Sequence, residues 1–320
     1  MLGALQLLKA DANPRITLVR TGGLGDTVLV LPALTWLREH LVHARLTLVG
    51  SHWTEALSPL ISFPLEVVRF ASPTLMPMFA CKPTAAPLGV FSDADALIIY
   101  TASPGADWVR NAGRACRGPV VIWPVTPTEK CHAAVHFVQA LTSYPLELSD
   151  LPTPMLRAPK DARIWARDWL QAGAGSRVRL TAIHPGSGGV RKCWPPECFA
   201  ELAEKLHTSI LLIEGPADAE ACSRVRASMS SAVRVVEAKG LTLVETAALL
   251  EQCTLYVGND SGLSHVVAAL GIPTVAVFGP TDPSVWAPRG REVEAVCARD
   301  GAAWPTLNAV LETAGRLRDA

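Results

Sequence analysis

Four short segments of this chain combine glycine with side chains that can handle phosphate or protons. The first, Thr21-Gly22-Gly23-Leu24-Gly25-Asp26, links an apolar run to an amphipathic one. Glycines let backbone approach a ligand closely, and the N-terminus of a following helix favours negative charge. Asp26 fits either a helix cap or a catalytic base, and Asp is a preferred cap residue. The second, His184 to Pro195, reads H-P-G-S-G-G-V-R-K-C-W-P. Its Lys192 is one of only 7 lysines, against 22 arginines. Lys192 and the Ser187 hydroxyl could hold a diphosphate, although glycine and serine also suit a solvated loop. The third, Glu214-Gly215-Pro216-Ala217-Asp218-Ala219-Glu220, offers a carboxylate for the two hydroxyls of a ribose, from Glu220 or Glu214. An acid there also favours a helix dipole with no ligand at all. The fourth, Val257 to His265, reads V-G-N-D-S-G-L-S-H. Backbone N–H groups at Ser261, Gly262 and Leu263 would form an anion site, with Asp260 facing the same ligand. His265 would either reach that ligand or cap its own helix.

Other signals are weaker. The Gly22 turn has Val28 at the third glycine position of a dinucleotide fingerprint, and Leu48-Val49-Gly50-Ser51-His52 carries no acid. A nicotinamide or flavin dinucleotide is therefore discounted. Cys131, His132 and His136 lie close together, but Ala133 breaks H-E-x-x-H and a metal needs more ligands, so no metal site is expected. Arg110, Arg114 and Arg117 recur at helical spacing beside Trp108, which fits a solvated face or a greeting for an acidic acceptor. Trp36, Trp165 and Trp169 read as packing residues.

The elements that must position these residues alternate short apolar strands with amphipathic helices. Strands are expected at 16–20, 46–49, 67–70, 96–100 and 120–123, with helices near 26–41 and 132–141. Asp26 would begin the first helix, and Pro32 should kink it or cut it short. The proline-rich stretch 72–89 reads as irregular loop. Pro152, Pro154 and Pro159 mark a linker, closed by a helix near 162–171. Beyond it, strands are expected at 180–184, 210–213, 233–236, 255–257 and 274–278. Helices should lie near 196–207, 217–229, 243–251 and 262–270, and a last helix near 306–317 could pack on either domain. Buried strands separated by helices imply parallel sheets covered on both faces. The expectation is an α/β protein of two doubly wound, Rossmann-like domains, 1–158 and 159–320, with ligand in the cleft between them, at strand carboxyl ends.

Bulk composition narrows the function classes. The 320 residues are 49% hydrophobic and 18% charged, an ordinary globular balance. Lys plus Arg and Asp plus Glu are both 29, so the formal net charge is zero. A nucleic-acid partner, which would call for a basic excess, is not expected. The eight cysteines are scattered without a C-x-x-C pair and read as reduced thiols in a cytosolic protein. No apolar run is long enough to span a membrane. The short apolar start MLGALQLLKAD lacks the features of a signal peptide. Peripheral work at a membrane surface stays open.

Taken together, G-D-x5-P, H-P-G-S-G followed by K-x-W-P, G-N-D-S-G-L-S-H-x2-A-A-L-G-x-P and F-G-P-T-D-P-x2-W resemble glycosyltransferase family 9. That family is typified by the ADP-heptose heptosyltransferases of lipopolysaccharide. The resemblance is moderate over 16–50 and 128–142 and strong over 181–290. It implies a GT-B architecture and inverting, metal-independent sugar transfer from a nucleotide sugar, with no cofactor. The first domain would then serve the acceptor and the second would bind the donor. By the same resemblance Asp26 is the base, Lys192 binds diphosphate, Asp260 serves the donor site and Glu220 is the nearest ribose carboxylate. The Ser261–Leu263 helix start would hold donor phosphates, with Ser187 and His265 on the donor side and Gly23, Gly25, Arg110 and His132 on the acceptor side. Cys193 stands where the family often has Arg, and Ser261 keeps the hydroxyl of the family's threonine. The implied partners are an ADP-activated heptose and a glycan or lipid A–core acceptor, used by a cytoplasmic monomer. A non-catalytic nucleotide-sugar-binding domain and a GT-B-like epimerase are the alternatives.

Overall fold

The computed structural model describes residues 13–80, 89–127, 130–174, 179–298 and 301–319. The apolar N-terminal stretch, Cys81, Pro83, Pro87 and positions 128 and 129 lie outside the described residues. The chain divides into two compact units, Met1–Pro154 and Met155–Ala320.

The first unit is built on β1 (Arg15–Arg20), β2 (Arg45–Gly50), β3 (Glu66–Arg69), β4 (Ala96–Tyr100) and β5 (Val120–Trp123). They lie in the order β3-β2-β1-β4-β5, every pair parallel. Ile16–Arg20 of β1 and all of β4 are buried, as expected for central strands covered on both faces. The order reverses between β1 and β4, which opens a crevice beyond Arg20 and Tyr100. The helices are α1 (Leu24–His40), α2 (His52–Leu57), α3 (Gly89–Ser92), α4 (Asp107–Ala115) and α5 (Ala133–Gln139).

Several details correct the sequence expectations. Helix α1 begins two residues earlier than expected and runs unbroken through Pro32. An interior proline costs roughly 3 kcal/mol. Residues Thr27–Leu34 are all buried, and α1 packs along α5, so tertiary burial offsets the local penalty. The stretch after Ser72 contains ordered 3-10 turns over Pro73–Phe79 that bury Leu75 and Met78. Helix α2 was not anticipated, and the helical spacing of Arg110 and Arg114 falls on α4, which ends before Arg117. Helix α4 places Trp108 edge-on to Phe70, their centroids 5.0 Å apart.

The second unit holds β6 (Leu180–His184), β7 (Ser209–Glu214), β8 (Val235–Lys239), β9 (Leu255–Asn259), β10 (Thr274–Phe278) and β11 (Val293–Cys297). Their order is β11-β10-β9-β6-β7-β8, again all parallel. The helices are α6 (Lys160–Ala174), α7 (Pro196–Leu206), α8 (Ala219–Ser228), α9 (Leu243–Leu250), α10 (Gly262–Ala269), α11 (Pro283–Trp286) and α12 (Leu307–Asp319). The order reverses between β6 and β9, so the crevice lies beyond His184 and Asn259. Strand β8 starts two residues later than expected, because Val233 N–H closes a turn onto Ser230 O at 3.1 Å. Edge strand β11 was not anticipated, and α12 packs against α7 and β9–β11.

Candidate functional site

Three strand exits converge beyond the second sheet. Asp260 directly follows β9. Its Oδ2 accepts from Lys192 Nζ at 2.8 Å and from Thr281 Oγ1 at 2.7 Å. Its backbone O accepts from Ser187 Oγ at 2.7 Å, and its N–H donates to Val277 O at 2.9 Å. Ser187 comes from the loop after β6 and Thr281 from the loop after β10, so one carboxylate ties together the exits of β6, β9 and β10. Asp260 is buried, whereas the Lys192 side chain is 40% exposed. An ammonium group has three donors. The ion pair uses one and leaves the others to meet an anion from solvent.

The loop carrying Lys192 is fixed from beneath. Asn259, fully buried at the end of β9, donates through Nδ2 to Pro185 O at 2.7 Å and accepts on Oδ1 from Trp194 N–H at 2.9 Å. The indole of Trp194 is buried edge-on against Phe199, 5.1 Å between centroids, and its Nε1–H reaches Pro305 O at 3.2 Å. Pro195 then stands at the N-cap of α7 with Pro196 in its first turn, the helix lead-in expected from the sequence.

Helix α10 opens beside Asp260. Its cap is Ser261, whose Oγ accepts from Ser264 N–H at 3.4 Å. His265 therefore does not cap this helix; it is buried within it. The Ser264 hydroxyl donates to Asn259 O at 2.6 Å and lies 3.1 Å from Tyr256 Oη. Gly262 and Leu263 occupy the first turn, where backbone N–H groups have no intrahelical acceptor. Buried Lys-paired carboxylate, serine cap and helix N-terminus thus bring together the kinds of donor that an anionic ligand would need.

Behind Ser187 lies a feature that sequence reasoning missed. His184 Nε2 is 2.9 Å from Asp218 Oδ2, and both residues are buried. Asp218 Oδ2 also accepts from Gly215 N–H at 3.0 Å. Burial pushes the Asp218 carboxyl up, but hydrogen bonding and charge from His184, with the Gly215 N–H, outweigh it and hold it below the usual range. Of the three acids between 214 and 220, the buried one is Asp218, whereas Glu220 is exposed in α8 and Glu214 is half-buried. Cys193 is half-buried with Sγ 3.7 Å from Gly189 O. Burial first, and then the Asp218 charge, push its thiol up.

The first unit places Asp26 at the exit of β1. The residue that caps α1 is Gly23, and Asp26 lies three residues further on, accepting from Gly23 N–H at 2.8 Å through Oδ2. Its Oδ1 pairs with Arg20 Nη2 at 2.5 Å. Arg20 is buried and lies over the Phe137 ring, 5.3 Å from its centroid. Tyr100 Oη–H in turn donates to Phe137 O at 2.7 Å. Gly22 has φ +153, and a Cβ there would fall 2.5 Å from Asp26 Oδ2, so only glycine fits. Gly25 lies in the first turn of α1. His132 caps α5, its Nδ1 accepting from Ala134 N–H at 3.2 Å. His136 Nε2 contacts Pro124 O at 2.8 Å. Arg110 is exposed and pairs with Asp107.

Residues 121–310 match the family model described as Glycosyltransferase family 9 (heptosyltransferase). Lipopolysaccharide heptosyltransferase 3 of Escherichia coli is 29% identical over 159 residues, covering 48% of this chain and 46% of that protein. Lipopolysaccharide heptosyltransferase 2 of Salmonella typhimurium is 34% identical over 156 residues, covering 46% and 45%. The chain thus spans about half the length of these curated relatives. The structure of an E. coli ADP-heptose lps heptosyltransferase II superposes with a TM-score of 0.74 at 19% identity, covering 95% of this chain and 98% of that one. That likeness is one of fold: two parallel α/β sheets of the GT-B kind.

Proposed function

The chain belongs to glycosyltransferase family 9, and from that premise we propose that it transfers a sugar, a heptose, from an ADP-activated donor to a hydroxyl of a lipopolysaccharide core or related glycan, with inversion. The observation that carries this is the convergence of Ser187, Lys192, Asp260 and Thr281 at the switch point of the second sheet, beside the N-terminus of α10. In a single displacement, negative charge grows on the departing diphosphate. Preorganised donors stabilise such charge most where they are already held in place. Lys192, oriented by Asp260, and the first N–H groups of α10 would supply them without a metal ion or other cofactor. A carboxylate at hydrogen-bond reach raises the reactivity of an acceptor hydroxyl, and Asp26 would take its proton, kept in place by Arg20. Glu220 is the proposed ribose contact, and the half-buried Glu214 is its rival. Gly23, Gly25, Arg110 and His132 would serve the acceptor side. The enzyme would act as a monomer in the cytoplasm, where a lipid-linked core is presented at the inner membrane; no helix among the described residues is long and apolar enough to cross a membrane.

The test is transfer from ADP-heptose to a panel of core acceptors, read by mass spectrometry, for the wild type and Asp26→Ala. Product should form with the wild type, while Asp26→Ala binds ADP but turns over far more slowly. Near-normal turnover by Asp26→Ala would remove the base assignment. ADP binding without product from any acceptor would favour a non-catalytic domain.

A further inference from the structure

Asp218 is the N-cap residue of α8, yet its side chain does not cap that helix. It turns back toward β6 and is enclosed by two glycines. A Cβ on Gly186 would lie 2.0 Å from its carboxylate, and one on Gly215 would lie 2.4 Å from Oδ2. Ordinary caps need no such clearance. The enclosed carboxylate meets His184 Nε2 at 2.9 Å, and on the far side of the ring Nδ1 is 3.5 Å from Ser261 Oγ. Asp218, His184 and Ser261 thus form a buried line ending at the mouth of α10.

The line has a definite proton logic. A carboxylate only accepts, so Nε2 carries the hydrogen and a neutral ring presents the Nδ1 lone pair to Ser261. Ser261 O–H then has two acceptors inside the site, His184 Nδ1 at 3.5 Å and Ser264 Oγ at 3.2 Å, the latter having given its own hydrogen to Asn259 O. A doubly protonated ring removes the first of these acceptors: Nδ1–H donates to Ser261 Oγ, and the Ser261 hydroxyl hydrogen is left to Ser264 Oγ or to a ligand. An incoming diphosphate, an acceptor bearing negative charge, favours the second arrangement on both counts.

Resting on the proposed donor site, we infer that His184 and Asp218 are positioning residues that couple diphosphate binding to uptake of one proton from solvent, delivered at His184 Nδ1, and so turn the Ser261 hydroxyl onto the ligand. The surrounding groups are compatible with this switch. Ser264 of α10 backs Ser261 and is itself met by Tyr256 of β9, and burial pushes the Tyr256 hydroxyl far up, so it stays neutral. The Cys193 and Cys222 thiols are also pushed up, by burial and then by charges that include Asp218. Lys192 and Asp260 neutralise each other alongside.

Two measurements test it. In the ligand-free protein, side-chain 15N NMR, with His184 assigned by its loss in His184→Gln, should show Nε2 protonated and Nδ1 bare; the opposite tautomer would overturn the relay whatever ADP does. Calorimetry of ADP binding at pH 8, well above the second phosphate ionisation of about 6, is then run in buffers of different ionisation enthalpy. The wild type should take up about one proton more than His184→Gln or Ser261→Ala, and Asp218→Asn should fall between. Both ends of the His184–Ser261 contact are varied, so failure of one variant to fold leaves the other. Equal uptake in wild type and variants that still bind ADP would overturn the relay alone. Failure of the folded wild type to bind ADP would overturn the donor reading and, with it, the relay.

Discussion

Asp26 and Asp260 are both carboxylates at the switch point of a parallel sheet, yet their surroundings differ. The Asp26 side chain is 34% exposed and is held by one guanidinium and one backbone N–H. That of Asp260 is 7% exposed and joins a network through Lys192, Thr281, Ser187 and Asn259 that reaches the core at Trp194. A partly exposed carboxylate on a small support can meet a hydroxyl and release a proton to water. A buried one in a fully bonded network is suited to hold a cation still. Under the proposed function, the difference teaches that the first unit would offer the reactive group and the second the prepared binding surface.

The contrast can be broken by substitution. The largest expected effect is that of Asp26→Asn, which retains an acceptor for Gly23 N–H but not the base. Turnover should fall about 10²–10⁴-fold with ADP affinity unchanged, and a matching loss of ADP affinity would contradict the division of labour. Next, Trp194→Ala should destabilise the protein by roughly 3–5 kcal/mol, as for other buried aromatics, and loosen the Lys192 loop. Denaturant unfolding reads the first effect and ADP affinity the second. In the first unit, Tyr100→Phe leaves Phe137 O without its buried donor, at a cost of about 1–3 kcal/mol. A loss as large as that of Trp194→Ala would erase the difference in support.

The smallest effect is pH-dependent. The folded-state Asp218 carboxyl lies below its unfolded value, because His184 and Gly215 outweigh burial. Its stabilisation is therefore complete above the unfolded value of about 3.9 and is lost as pH falls through the folded one. The stability gap between wild type and Asp218→Asn should narrow from about pH 5 down to about pH 2. A constant gap would mean that the carboxylate charge contributes nothing.

Much of this was legible because it is local. β4, β5, β6 and β10 have the bounds their apolar runs suggest, and the glycine-rich exits stand where the strands end. The missed features are long-range. Asp218 is set apart from Glu214 and Glu220 by its bond to His184, 34 residues away, and by the room left for it at Gly186 and Gly215. Arg20 reads as the last residue of a strand until Phe137 and Asp26 surround it. Pro32 looked like a break because local propensity carries no information about the helix packed beside it. β11 escaped notice because an edge strand with a half-buried pattern lacks the continuous apolar run of its neighbours.

The central claim is that the network around Asp260 presents Lys192 to the diphosphate of a nucleotide sugar. Calorimetric titration of ADP into the wild type and Lys192→Ala tests it most directly. The predicted result is clear binding by the wild type and a loss of at least about tenfold in the variant, the scale of one charge-assisted hydrogen bond of 1.5–3 kcal/mol. Equal affinity in the two proteins would contradict it.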